Sequence, residues 1–143
     1  MKLLVDASVA VKWLIEEDGS HHALRILEQA TLAAPDLLLS ECANTLWKAA
    51  RRGVLSPDQA VEAAVSLSRL NVEWISAHPC TADATQLAIS LNHPAYDCLY
   101  LAIAQRLGLP FVTADARLVT RVRDAGLTVS ILTLAEAAQV IAP

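Results

Sequence analysis

The run Lys2-Leu3-Leu4-Val5 stops abruptly at Asp6, and Ala7 to Ile15 then continues with apolar residues at helical spacing. A short run that is apolar on successive rather than alternate residues is the pattern of a strand buried on both faces, as in a parallel sheet covered by helices. The chain therefore opens strand, carboxylate, helix. The same order returns late: Phe111-Val112-Thr113 is an apolar run, and Asp115 opens a helix over 115–125 that ends at Gly126. Between them, Ser20 is placed to cap a helix over 21–32, with Ala33-Ala34 as a brief strand, and Pro35-Asp36 begins a helix that runs through Trp47 to Arg52 before Gly53. Ser56-Pro57-Asp58-Gln59 combines an N-cap, a proline at the first helical position and a glutamine at the third, so a helix over 57–70 follows. Val72-Glu73-Trp74-Ile75 alternates as a strand. Helices over 79–91 and 95–107 are separated by Asn92-His93-Pro94, and Gly108 stands where a left-handed cap ends the second. A final strand over 128–132 leads into a second capping box, Thr133 with Glu136. This alternation implies an α/β fold in three layers, a central parallel sheet with helices on both faces, whose ligands bind beyond the carboxyl ends of the strands.

Composition agrees with one domain spanning residues 1–143. The chain has 143 residues, 55% hydrophobic and 18% charged, and a chain of that length buries about 70% of its unfolded surface without disulfides or structural metal. Gly 4 and Pro 6 are too few for a disordered or turn-dense all-β chain. Cys42, Cys80 and Cys98 are odd in number and form no C-x-x-C pair, which disfavours a disulfide framework or zinc ribbon and points to a reducing, cytoplasmic setting. Asp6 and Lys12 interrupt the N-terminal apolar stretch, which reads as fold rather than signal peptide. The longest clean apolar run, Cys98 to Ala104, is far short of the roughly 18 residues of a membrane span, so no membrane association is expected. A mean hydropathy of +0.41 is high for a soluble monomer and suggests apolar surface covered by a second copy or another protein, a homodimer in the simplest case.

Four acids carry the chemistry. Asp6 and Asp115 lie just past the carboxyl ends of apolar strands, and the fold rule puts both on one rim of the sheet. Asp97 falls in the first turn of the helix after Pro94, and Glu41 within the helix after Asp36, where each can face the same rim. Singly, each has an ordinary explanation: an acid near a helix N-terminus satisfies free N–H groups, and Glu41 with Asn44, Thr45 and Lys48 could be a solvated helix face. Together in a partly desolvated cleft, four carboxylates would repel, so that some are protonated or a cation neutralises them. All-oxygen donors without His or Cys select hard ions, Mg²⁺ or Mn²⁺. With four of the 15 acids neutralised by metal, the remaining 11 balance the 11 Lys+Arg, so the formal charge of −4 does not argue against an anionic substrate. Lys48, Arg51 and Arg52 at the end of one helix, and Arg117 and Arg121 on another, are candidates to meet phosphates, or are ordinary solvated faces. His21, His22, His78 and His93 show no metal-ligand spacing and read as surface or packing residues; Trp13, Trp47 and Trp74 read as core or interface.

These residues resemble the PIN domain ribonucleases and, among them, the VapC-type toxins of bacterial toxin–antitoxin pairs. The matching pieces are Val5-Asp6-Ala7-Ser8, Pro35-Asp36-Leu37 leading to Ser40-Glu41-Cys42-Ala43-Asn44, Tyr96-Asp97-Cys98-Leu99-Tyr100-Leu101-Ala102, and Thr113-Ala114-Asp115, in the family's order over nearly the whole chain. The resemblance implies a PIN-like three-layer fold. It also implies an endoribonuclease dependent on Mg²⁺ or Mn²⁺, with Asp6, Glu41, Asp97 and Asp115 as catalytic metal-binding acids and Ser8, Asn44 and Thr113 as polar support. A cognate antitoxin and a homodimer are implied as partners. Some relatives carry a further acid shortly after the last motif, where this chain has Ala116 and Arg117.

Other readings are weaker. The glycines, Gly19, Gly53, Gly108 and Gly126, are scattered, which excludes a dinucleotide fingerprint or a P-loop. A haloacid-dehalogenase-like phosphatase expects Asp-x-Asp where Asp6-Ala7-Ser8 stands, and a receiver domain expects a lysine after a late strand, whereas the last lysine is Lys48. A catalytically silent PIN-like module that binds protein or RNA would not need all four acids.

Overall fold

A computed structural model describes residues 1–141. A five-stranded parallel sheet runs in the order β3-β2-β1-β4-β5, with β1 Lys2–Val5, β2 Thr31–Pro35, β3 Val72–Ile75, β4 Phe111–Val112 and β5 Ile131–Leu132. Eight α-helices surround it among the described residues: α1 Ala7–Leu14, α2 Ser20–Gln29, α3 Leu37–Arg51, α4 Pro57–Ser68, α5 Thr81–Leu91, α6 Ala95–Leu107, α7 Ala116–Asp124 and α8 Leu134–Val140. Parallel strands require crossovers, and these are right-handed in nearly all proteins. The chain steps from β1 to β2 to β3 in one direction, then returns past β1 to β4 and β5. Helices α1–α4 therefore cover one face and α5–α7 the other. The packing agrees: α1 meets α2, α3 and α4, α6 lies against α5, β1 and β4, and α8 returns to α2.

The strand order reverses between β1 and β4, where Leu4 pairs with Phe111 and Val5 with Val112. Leu3, Leu4, Val5, Phe111 and Val112 are fully buried, which fixes the height at which both strands end. Beyond them the neighbouring strands give way to helices on opposite faces, opening the crevice in which such sheets bind ligands.

Several boundaries differ from the sequence expectation. The helix expected over 21–32 ends at Gln29, and the strand expected at Ala33-Ala34 spans Thr31–Pro35. Leu32, Ala33 and Ala34 are buried between β1 and β3, and the ladder gained there outweighs the helical preference of Leu32. Pro35 accordingly closes a strand instead of opening α3. Ser20 is the first residue of α2 and not its cap; Gly19 holds the cap position at φ +83, and Ser20 Oγ accepts from Glu17 N at 3.0 Å. The last strand shrinks from 128–132 to Ile131–Leu132, because β4 offers only Phe111 and Val112 as partners. Both capping boxes form as expected, Ser56 with Gln59 and Thr133 with Glu136.

Candidate active site

Asp6 is the N-cap of α1 and is only 4% exposed. Its Oδ1 accepts from Ser8 Oγ at 2.5 Å and Val9 N at 3.2 Å, and its Oδ2 from Thr113 Oγ1 at 2.5 Å. Ser8 Oγ in turn accepts from Ala114 N at 2.9 Å, and Thr113 Oγ1 from Asp115 N at 3.1 Å, so the ends of β1 and β4 are sewn together around this carboxylate. Ser8 and Thr113 thus stand where the sequence put them. Burial nevertheless pushes the Asp6 carboxyl up to about 6, against the lowering effect of its three donors, with the charge of Asp97 adding to the rise.

Glu41 projects from α3 and accepts from Tyr100 Oη at 2.7 Å. Tyr100 is fully buried on α6 and stacks on Phe111 at a centroid distance of 5.7 Å, so the core itself aims the phenol at Glu41. Burial and the charge of Asp97 still raise the Glu41 carboxyl above its ordinary value, although the Tyr100 bond opposes the shift. The two acids share the electrostatic influence of Asp97.

Asp97 and Asp115 come together with a histidine. His93 Nε2 lies 2.6 Å from Asp97 Oδ2, and one ligand atom each from His93, Asp97 and Asp115 lies within 4.8 Å of the others. Asp115 also caps α7, its Oδ1 accepting from Arg117 N at 3.0 Å and Leu118 N at 3.2 Å. The capping explanation therefore holds for Asp6 and Asp115 and leaves their convergence to be explained. His93, expected as a surface or packing residue, has its ring against Asp97; the signal for this contact was the i,i+4 spacing to Asp97, hidden by the intervening Pro94.

A cleft of about 480 Å³ opens over this rim, lined among others by Ser8, Lys12, Glu41, Asn44 and Asp115. Asn44 is exposed on its wall. Lys12 lies in the cleft lining with its side chain 13% exposed, and its Nζ donates to Glu17 Oε1 at 3.0 Å and Asp18 O at 2.6 Å. Among the described residues, no Lys or Arg forms an ion pair with Asp6, Glu41, Asp97 or Asp115. Of the basic candidates, Lys48, Arg52 and Arg117 are exposed, and Arg51 lies 4.7 Å over the Trp47 ring. Arg121 donates to the carbonyls of Leu91 at 3.3 Å and Asn92 at 2.7 Å, tying α7 to the end of α5. Carboxylates raised by burial and by one another, without a basic side chain to offset them, fit a divalent cation, and oxygen donors suit a hard one.

The family model of the PIN domain matches residues 3–125. Ribonuclease VapC3 of Pyrobaculum aerophilum is 36% identical over 122 residues, 82% of this chain and 92% of that protein. The chain belongs to the PIN domain family, among its VapC ribonucleases. In fold, this PIN domain is similar to PAE2754 of Pyrobaculum aerophilum, with TM-score 0.73, 23% identity and coverage of 99% of this chain and 89% of that one. It is also similar to a chain of VapBC2 from Rickettsia felis, a complex bound to a DNA fragment from its promoter, with TM-score 0.65, 14% identity and coverage of 93% and 98%. No described helix of the PIN domain is long and apolar enough to cross a membrane.

Proposed function

We propose that the chain is the toxin of a toxin–antitoxin pair, an endoribonuclease that hydrolyses RNA phosphodiester bonds with Mg²⁺ or Mn²⁺ held by Asp6, Glu41, Asp97 and Asp115. The observation that carries this reading is the buried Asp6, pushed up to about 6 beside Asp97 without a basic partner at the reversal of strand order. Such a cation, when bound, lowers the pKa of attacking water and offsets charge developing on the phosphate. The chain's own groups set the stage for it. Ser8 and Thr113 hold both oxygens of Asp6, Tyr100 aims Glu41, and the cap bonds of Arg117 N and Leu118 N orient Asp115. Asn44 supports the cleft wall, and exposed Lys48, Arg51, Arg52 and Arg117 are suited to phosphates flanking the scissile bond, with Arg121 beside Arg117 on α7.

The partners follow from the same surface. Trp47, Val61 and Val65 are exposed on α3 and α4, apolar area that suits a homodimer or an antitoxin. A basic side chain from an antitoxin could pair with the carboxylates and exclude both cation and phosphate. Three free, buried cysteines suit a cytoplasmic protein. Residues 1–143 would form one PIN domain.

The test is cleavage of RNA by purified protein, with the product ends mapped. Hydrolysis by water leaves a 5′-phosphate and a 3′-hydroxyl and stops in EDTA. A 2′,3′-cyclic phosphate, or undiminished cleavage in EDTA, would show attack by the ribose hydroxyl and overturn the reading. Expression of the chain alone should be toxic and Asp6→Ala harmless, with rescue by a small protein encoded beside it. A harmless wild-type chain would remove the toxin assignment.

A further inference from the structure

His93 is built into the acid cluster more firmly than a surface histidine. Asn92, in the left-handed region at φ +49, ends α5, and Pro94 caps α6. Between them His93 N donates to Ala88 O at 3.1 Å, and the Cys98 thiol donates to His93 O at 3.9 Å. Arg121 straps the same turn to α7 through the carbonyls of Leu91 and Asn92, and Asp115 is the cap of α7. The imidazole, Asp97 and Asp115 thus share one braced frame, and the ring is only 12% exposed. The bracing acts on backbone atoms and leaves the ring nitrogen free to face the acids.

We propose that His93 is a ligand of the cation held by Asp97 and Asp115, and that its nitrogen shifts the preference of this centre toward Mn²⁺ over Mg²⁺. This rests on the metal-nuclease reading above and adds the choice of ion. Nε2 lies 2.6 Å from Asp97 Oδ2, and His93, Asp97 and Asp115 each bring one ligand atom within 4.8 Å of the others, a spacing that one cation replacing the shared proton can span. Mg²⁺ favours oxygen and retained water, whereas imidazole favours transition ions. The competing role is that of a positioning residue, in which His93 orients Asp97 from outside the coordination sphere. That role would support both ions alike.

Two measurements separate these roles. Metal-free protein is titrated calorimetrically with Mn²⁺ and, separately, with Mg²⁺, for wild type and His93→Gln, whose amide can still bond Asp97. The Mn²⁺-to-Mg²⁺ affinity ratio should fall about tenfold in the variant with Mg²⁺ affinity nearly unchanged. Pulsed electron paramagnetic resonance of the Mn²⁺-loaded wild type should show coupling to a ¹⁴N nucleus, lost in His93→Gln; this readout on the wild type stands even if the variant folds poorly. Equal loss of both ions, or Mn²⁺ bound without nitrogen coupling, would overturn the role of His93 and leave the metal site intact. Failure of the wild type to bind Mn²⁺ would overturn both readings.

Discussion

Asp6 and Glu136 both lie at the starts of helices, and both accept from a threonine hydroxyl and a backbone N–H, yet their protonation is driven in opposite directions. Glu136 at α8 is 2.9 Å from Arg123 Nη2 and accepts from Thr133 N, and these bonds hold its carboxyl down at about 2. Asp6 at α1 also has three donors, from Ser8, Thr113 and Val9, and is still pushed up to about 6. The difference is burial together with the absence of a guanidinium. Hydrogen bonds alone satisfy a carboxylate where water also reaches it; beneath the cleft they do not, and a cation is what the Asp6 end of the molecule needs and the Glu136 end already has.

The largest effect that could break this comparison is on activity. Asp97→Asn should reduce RNA cleavage by about a thousandfold, or about 4 kcal/mol of transition-state stabilisation. The metal-free variant should be at least as stable as wild type, since the substitution relieves repulsion on Asp6 and Glu41. Cleavage rates and thermal melts in EDTA check both halves, and a marked loss of stability would restore a purely structural role.

Next in size is the pH dependence of the metal-free protein. Between about 3.8 and about 6 the folded chain keeps a proton on Asp6 that the unfolded chain has released. The stability associated with Asp6 is therefore present below the lower value and lost as pH rises through the upper one, a decline of about 3 kcal/mol. Urea unfolding in EDTA from pH 4 to pH 7 should show this decline, and Asp6→Asn should flatten it. Added Mg²⁺ at pH 7 should restore stability to wild type, by about 2.7 kcal/mol at a hundred times the Kd, and much less to Asp6→Asn.

Tyr100→Phe sharpens the comparison at Glu41. Losing the buried phenol leaves that carboxylate without its donor, so stability should fall by about 1 kcal/mol and cleavage should weaken more than stability does. Denaturant melts and rates on the same preparation measure the two. Smallest is the control: Glu136→Gln removes an exposed ion pair while its amide oxygen can still close the capping box with Thr133, and should lower stability by less than about 1 kcal/mol while leaving cleavage unchanged.

The fold, and the elements that carry the four acids, were legible because each depended on local pattern. Apolar runs ending at Asp6 and just before Asp115 marked strand ends, and parallel topology then forced those ends onto one rim. Glu41 and Asp97 were placed on the right helices, although nothing local states that Tyr100 would reach Glu41 across 59 positions in the chain. The strand Thr31–Pro35 was read too short, as Ala33-Ala34 alone, because Thr31-Leu32 continues the preceding helical pattern until β1 and β3 lie beside it. His93 escaped because Pro94 separates it from the helix of Asp97, and a helical spacing carries no meaning across a break. Lys12 was read only as a charge that interrupts the N-terminal apolar stretch; its place in the cleft depends on the turn through Glu17 and Asp18, which no motif announces.

The central claim is that the reversal between β1 and β4 is a divalent-cation site built from Asp6, Glu41, Asp97 and Asp115. Its most direct test is calorimetric titration of metal-free protein with Mg²⁺ at pH 7, for wild type and for the Asp6→Asn, Asp97→Asn double variant. The account predicts saturable binding to wild type that disappears in the folded double variant. Binding of equal strength to both, or to neither, would contradict it.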